Sequence, residues 1–304
     1  CDAYYMKDGK NCPGKDSEYI DYPAYAKRID PNPRAEGFVT DENKDQYPEL
    51  GNNRVGVSMQ YVGREPRFYA SVAYNGSTWY LLNEPNDANK DKQIFYYRGG
   101  GNGYTNTMFW LRTGIGVMKF VHPDDTNRDE KEEYIRKKAE PAIRYAEILL
   151  IYAEALNELT GNYNIASWDE ETQYTIQRNI DEMKKGIQPI RIRAGIPDYT
   201  RSEYEDQDLF REKLKRERQI ELMGEGHRYY DIRRWKDAEV EESLPIYGCN
   251  TLMTEKWRDV FHVPVAIPSL PTNFSRKMYF WPISHSELKR NKMLTQNPGW
   301  TYND

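Results

Sequence analysis

The chain has 304 residues, of which 38% are hydrophobic, 30% charged and 13% aromatic, and its formal net charge is −5. That length suits one large domain or two small ones with a substantial core. The acidic balance, and the lack of any stretch that interleaves basic with aromatic residues, argue against nucleic acid as a partner. No apolar run is long enough to span a bilayer and no secretory leader is recognisable. Three cysteines without a CxxC argue against a thiol redox centre or a cysteine-based zinc site. The spacing allows Cys1 and Cys12 to pair around a short loop, which leaves Cys249 over.

Residues 1–53 are rich in Gly, Pro, Asn and acids, which reads as surface loops. A structureless segment of that length is expected to pack on something larger, outside this chain. Between 54 and 83, Phe68, Ala70, Val72 and Tyr74 alternate, Asn75-Gly76 forms a tight turn, and Trp79, Leu81 and Leu82 follow. That pattern predicts a β-hairpin, and a second short strand pair is expected across 93–98 and 114–120. The glycine-rich stretch 99–110 lacks the GxxxxGK[ST] pattern of a phosphate loop. It reads either as a mobile surface loop or as one that presents Tyr104 and Trp110 to a ligand. Residues 121–140 are charged; Asp124, Asp125 and Asp129 lack the spacing of a calcium loop, so a solvated linker is expected.

The organising stretch is 142–159, AIRYAEILLIYAEALNEL. Ile143, Ala146, Leu149, Leu150, Ala153 and Leu156 share one side of a helix, and Ile148, Ile151, Tyr152 and Ala155 widen the stripe. A helix apolar on most of its circumference is expected to be nearly all buried. A second helix is predicted over about 169–193, kinked or broken by Gly186 and Pro189. A third runs over about 207–223, and a short fourth over 227–235. Residues 241–278 are irregular, and the apolar Tyr279, Phe280, Trp281 and Ile283 are expected to anchor the C-terminal segment. The chain thus divides into a loop-rich and hairpin region (1–140), a helical region (141–240) and an irregular region (241–304).

Catalytic signatures are missing. The four histidines, His122, His227, His262 and His285, form no HExxH pair, and no GxSxG is present. Glu217 and Glu221 lie four apart on one helix face, but Arg216 and Arg218 beside them predict an ion-pair network rather than an acid/base pair. The reading is therefore not an enzyme, with no catalytic residues, no metal and no cofactor. Trp79, Tyr80, Tyr104 and Trp110, with Asn75, Asn102 and Asn106 nearby, are the candidate ligand residues. Aromatic faces cover sugar C–H patches and amides bond hydroxyls, although the same residues also serve peptides.

REPRFYASVAYNG (64–76), RYAEILLIYAEALNE (144–158), IRIRAGIP (190–197), LKRERQIELMGEGHRYYDIRRWK (214–236) and FWPISHSELKRNKMLTQNPGW (280–300) resemble successive landmarks of the SusD/RagB family, in the family's order. DAYYMKDGK (2–10) resembles an internal family segment that precedes the hairpin. The resemblance implies a mainly α, SusD-like fold of tetratricopeptide-like helix pairs with irregular loops and small β-hairpins. In it, 144–158 would pair with about 172–193. It also implies a surface-exposed outer-membrane lipoprotein of Bacteroidota that binds oligosaccharides, or in some members peptides, and caps a TonB-dependent transporter resembling SusC. A glycoside hydrolase and a purely structural transporter subunit are the rival readings. Arg144, Arg216, Glu221, His227, Arg228, Asp231 and Arg234 fall in the family's charged signature and are assigned structural roles. Cys1 directly precedes the internal segment, so it is not expected to be the lipidated residue. The lipid anchor, and many family ligand contacts, would belong to a missing N-terminal half of the same protein.

Overall fold

The computed structural model describes residues 1–12, 35–84, 86–105, 108, 110–126, 135–267, 269–270 and 272–301. The chain is mainly helical, with short two-stranded sheets, and divides into two compact units. The first is Cys1–Gly224 with Gly248–Val265, and the second is Glu225–Tyr247 with Ala266–Asp304. Among the described residues no helix is long and apolar enough to cross a membrane.

In the first unit, Pro66 opens α1 (Pro66–Ser71), where its missing N–H costs nothing. Residues 66–71, expected as strand, are therefore helical. The strands that follow do not pair with each other. β1 (Val72–Ala73) pairs antiparallel with β4 (Gly116–Val117). β2 (Thr78–Tyr80) pairs with β3 (Asp91–Gln93), which follows the short α2 (Asp87–Lys90). Asn75-Gly76 does turn the chain: Ser77 N–H donates to Tyr74 O at 2.9 Å and Gly76 has φ +90°. Its flanks part to separate partners, and the Asn75 side-chain oxygen accepts from Tyr96 N–H at 2.7 Å. The glycines after Tyr97 are used for close packing rather than freedom. A Cβ on Gly103 would lie 2.0 Å from Tyr97 O.

The helical core is α3 (Tyr145–Asn157), α4 (Ile180–Arg193), α5 (Arg201–Glu205) and α6 (Gln207–Glu221). Side-chain caps fix the starts of α4, α5 and α6. Asn179 accepts from Glu182 N–H, Asp206 from Asp208 and Leu209 N–H, and Thr200 with Glu203 forms a capping box. Leu150, Ala153, Met183, Ile187, Phe210 and Leu214 pack together, each about 1% exposed or less. Gly186 sits where α3 and α4 meet, and a Cβ there would lie 2.5 Å from Leu149 O. Pro189 lies inside α4 without ending it. Gly186 and Pro189 thus do not break the helix: Gly186 meets the facing helix, and α4 runs on to Arg193, just before Gly195 at φ +76°. Residues 169–176, expected as helix, instead belong to a hairpin of β5 (Tyr163–Ala166) and β6 (Gln173–Ile176). Alternation through Tyr174 and Ile176 wins over helical periodicity until the Asn179 cap.

The near-complete burial expected for 142–159 does not hold. Ala146, Leu150, Ala153, Leu156 and Asn157 are buried, but Ile143, Tyr145, Ile148, Ile151 and Tyr152 are 40–76% exposed. α4 and α6 cover one face of α3, and its other apolar face is open in this chain.

Residues 1–12 and 35–53, expected to pack outside the chain, contribute to its own core through Tyr4, Tyr5, Val39 and Leu50, which join Val57, Tyr61, Phe68 and Tyr74. Residues 13–34 lie outside the described residues. Cys12 is buried, its thiol donating to Asp2 O at 3.5 Å, and Cys1 is exposed. The charged stretch after His122 is fastened at its described ends. Asp125 accepts from Arg136 N–H at 2.8 Å and Lys138 Nζ at 2.7 Å. Asp129 is outside the described residues.

In the second unit, α7 (His227–Arg234) and α8 (Ala238–Glu241) place Ile232 and Ala238 against Phe274. Tyr279 packs beside them, and Leu288 of α10 (His285–Arg290) is buried. Phe280 and Trp281, expected as anchors, are 60% and 74% exposed. α9 (Arg258–Phe261) belongs to the first unit.

Candidate functional site

Two arrangements of polar groups stand out in the first unit, a buried charge network and an open pocket. The network is built on α6. Arg67 donates to Glu65 at 2.7 Å, to Glu217 at 2.7 Å and to Glu221 at 3.2 Å. Arg191 holds the other Glu217 oxygen at 2.9 Å, and its guanidinium lies 3.8 Å from the Tyr199 ring centroid. Arg144 and Arg193 both reach Glu221. Burial pushes the Glu65 carboxyl above its usual range despite Arg67. Burial also pushes Glu221 up, but bonds and charge from Arg193 and Arg67 outweigh it and hold Glu221 low. Glu217 and Glu221 are thus engaged by arginines on both oxygens and do not face a cleft as an acid/base pair.

The charged signature divides between the units. Arg216 leaves the network: it donates to Ala3 O at 2.5 Å and its guanidinium lies 3.8 Å from the Tyr5 ring centroid, which pins residues 2–10 to α6. Arg228 pairs with Glu241, and Asp231, 4% exposed, pairs with Arg234 at 2.9 Å. His227 opens α7.

The pocket is a cavity of about 430 Å³ lined by Glu49, Leu50, Gly51, Pro66, Tyr69, Ala70, Tyr74, Ser77, Thr78, Tyr80, Met118, Val121 and Pro123. That volume lies within the range of small-ligand sites. α1 supplies Tyr69, the turn after β1 supplies Tyr74 and Ser77, and β2 supplies Tyr80. Successive residues of a strand point to opposite faces. Tyr80 therefore lines the pocket, while Trp79 packs against the cluster that includes Ala73, Ile94 and Tyr96. The Tyr80 hydroxyl lies against Gly51, whose φ of +91° and missing side chain make room for it; a Cβ there would stand 2.2 Å from that oxygen. Tyr69 is already used, donating to Tyr61 O at 2.7 Å and accepting from Arg64 N–H at 3.0 Å. Burial, with the neighbouring Tyr69, Tyr80 and Glu49, pushes the Tyr74 hydroxyl far up, so it stays protonated as a donor. Glu49 accepts one bond, from Gly63 N–H at 3.1 Å. The buried Ser77 hydroxyl has no hydrogen-bond partner among the described residues.

The pocket brings together only Tyr80 of the aromatic candidates. Tyr104 and Trp110, both half-buried, contact each other edge to face, with centroids 5.3 Å apart, and neither lines the pocket. Asn75 is 2% exposed and occupied by Tyr96, Asn102 is exposed, and Asn106 lies outside the described residues. The sequence reading does not single out Tyr69, Tyr74 and Glu49, because they are scattered between 49 and 74 and Tyr74 reads as ordinary strand core.

A sequence model of the SusD family matches residues 1–300. The chain belongs to the SusD family. Its SusD-like fold agrees with solved structures. BT4246 is similar with a TM-score of 0.72 at 23% identity, covering 98% of this chain and 43% of that one. A SusD-like protein from Bacteroides fragilis, BF3747, gives 0.62 at 23% identity over 98% of this chain and 45% of its own. A SusD-like carbohydrate-binding protein from the same species, BF0978, gives 0.56 at 23% identity over 97% and 47%. SusD-like protein P2 of Formosa agariphila is 31% identical over 162 residues, 52% of this chain and 25% of that protein. The chain therefore spans less than half the length of these solved structures.

Proposed function

We propose that this chain is part of a non-catalytic binding protein that captures oligosaccharide at the outer-membrane surface and passes it to a TonB-dependent transporter resembling SusC. The observation that carries this reading is the tyrosine-walled pocket, with Glu49 and the hydroxyls of Tyr74, Ser77 and Tyr80 around it, in a member of the SusD family. Tyrosine faces cover the C–H patches of a sugar ring while hydroxyls and a carboxylate bond its hydroxyls. The carbohydrate-binding relative from Bacteroides fragilis supports that ligand class. Glycoside hydrolysis calls for two carboxylates about 5–10 Å apart across a cleft. Glu49 is the one carboxylate among the described residues lining the pocket.

Tyr104 and Trp110 would form a second ligand contact in the same protein. The signature residues Arg144, Arg216, Glu221, His227, Arg228, Asp231 and Arg234 act structurally in this reading. The open apolar face of α3, through Ile148, Ile151 and Tyr152, fits cover by helices of a longer protein. Calorimetric titration with a panel of oligosaccharides tests the assignment. At least one should bind, and Tyr80→Ala should weaken it tenfold or more while leaving the melting curve in place. Equal affinity of both proteins for every bound glycan would overturn the pocket assignment.

A further inference from the structure

The charges around the pocket are unbalanced. None of the described residues lining it is Lys, Arg or His. Glu49 makes no ion pair among the described residues, in a unit where Glu65, Glu217 and Glu221 are all held by arginines. Its one partner is a backbone N–H, so a second carboxylate oxygen is left over. Tyr69, Tyr74 and Tyr80 line the walls beside it, with the Tyr74 ring stacked on Phe68 and packed on Tyr61. An unpaired carboxylate attracts a cation by direct charge, and any tyrosine face the cation meets adds to that attraction. The same arrangement repels a sulfate or a uronate, which would approach Glu49 with no cation to offset it. Ser77 and Tyr74 add hydroxyls to the polar lining, and Leu50, Pro66, Met118, Val121 and Pro123 give an apolar wall for carbon atoms.

We propose that this pocket takes an alkylammonium group, with Glu49 as its counter-ion and the Tyr69, Tyr74 and Tyr80 rings as its walls. It rests on the reading of the pocket as a ligand site and adds the charge of the ligand. The ammonium can belong to an amino sugar or to a lysine side chain or peptide amino terminus. Calorimetric titration of the protein with three probes separates these sources: a glucosamine trimer, its fully N-acetylated counterpart, and trilysine. At least one of the two ammonium-bearing probes should bind tenfold or more tighter than the N-acetylated trimer, and Glu49→Gln should remove that advantage. Tyr80→Ala should weaken every probe that binds. Preference for the glucosamine trimer points to an amino sugar, and preference for trilysine points to a peptide. Equal or tighter binding of the N-acetylated trimer, or an ammonium preference that survives Glu49→Gln, overturns the proposal. If a neutral oligosaccharide binds with Tyr80 dependence and no ammonium preference, the pocket remains a ligand site and only its charge selectivity fails. If no probe and no oligosaccharide responds to Tyr80→Ala, both fail.

Discussion

Replacing Gly186 by Ala opposes two effects of known size. In an exposed helix interior the change stabilises by about 0.8–1 kcal/mol, because Ala is the better helix former. At this position the new Cβ would lie 2.5 Å from Leu149 O, 2.9 Å from Ala153 Cβ and 3.0 Å from Ala153 N. Two of those atoms are backbone, so no rotamer change relieves the contact, and α3 and α4 must move apart. Overpacking of this kind costs ~1–3 kcal/mol. The upper part of that range applies here because the displaced atoms belong to the helix itself. The net expectation is a loss of about 1–2 kcal/mol, which lowers Tm by a few degrees. Urea unfolding followed by far-UV circular dichroism measures it. In a double-mutant cycle, Ala153→Gly should cost less beside Gly186→Ala than in the wild type, because it removes one of the contacts. Stabilisation of Gly186→Ala by about 1 kcal/mol would refute the close approach of α3 and α4.

Leu150→Ala should cost ~2–5 kcal/mol in the same assay, since Leu150 is fully buried among α3, α4 and α6. A cost below 1 kcal/mol, in order of magnitude that of a surface change, would remove α3 from the core. Glu217→Ala should cost about 3–5 kcal/mol, because it leaves Arg67 and Arg191 buried beside an empty site. A variant that melts with wild type would show that the network is not closed in solution. Burial holds His262 down to about 4 from its ordinary 6.5, with its Nδ1–H donating to Arg258 O. The unfolded chain therefore binds this proton first as pH falls. The contribution is complete above pH 6.5 and is lost down to pH 4, about 3 kcal/mol in all. The stability gap between wild type and His262→Phe should narrow or change sign over that interval, and parallel pH curves would contradict it.

The fold was legible where periodicity and punctuation agreed. Residues 142–159 and about 207–223 read as helices from their apolar spacing, and helices run through 145–157 and 207–221. The sequence reading does not include the caps at Asn179, Thr200 and Asp206. Local pattern failed where long-range packing decided the outcome. Gly186 looks like a helix breaker from its own neighbours and becomes a helix contact only once α3 faces it. Residues 169–176 carry an apolar spacing compatible with either period, and the hairpin pairing resolved it. The apolar width of α3 indicated a need for neighbours on several sides, but it could not say which of them this chain supplies. The pocket was the least legible feature. Tyr80 was visible as an aromatic beside a turn, whereas Glu49, Tyr69 and Tyr74 acquire their meaning only when β2, α1 and the 49–51 turn converge. Nothing in their spacing announces that meeting.

The central claim is that the protein binds and delivers ligand without transforming it. Affinity purification of the intact protein from outer membranes, with mass spectrometry of everything retained, tests it most directly. The account predicts a large β-barrel transporter in the eluate together with a bound oligosaccharide or an amine-bearing peptide that elutes chemically unchanged. Recovery of the protein by itself, with turnover of an added polysaccharide, would contradict it.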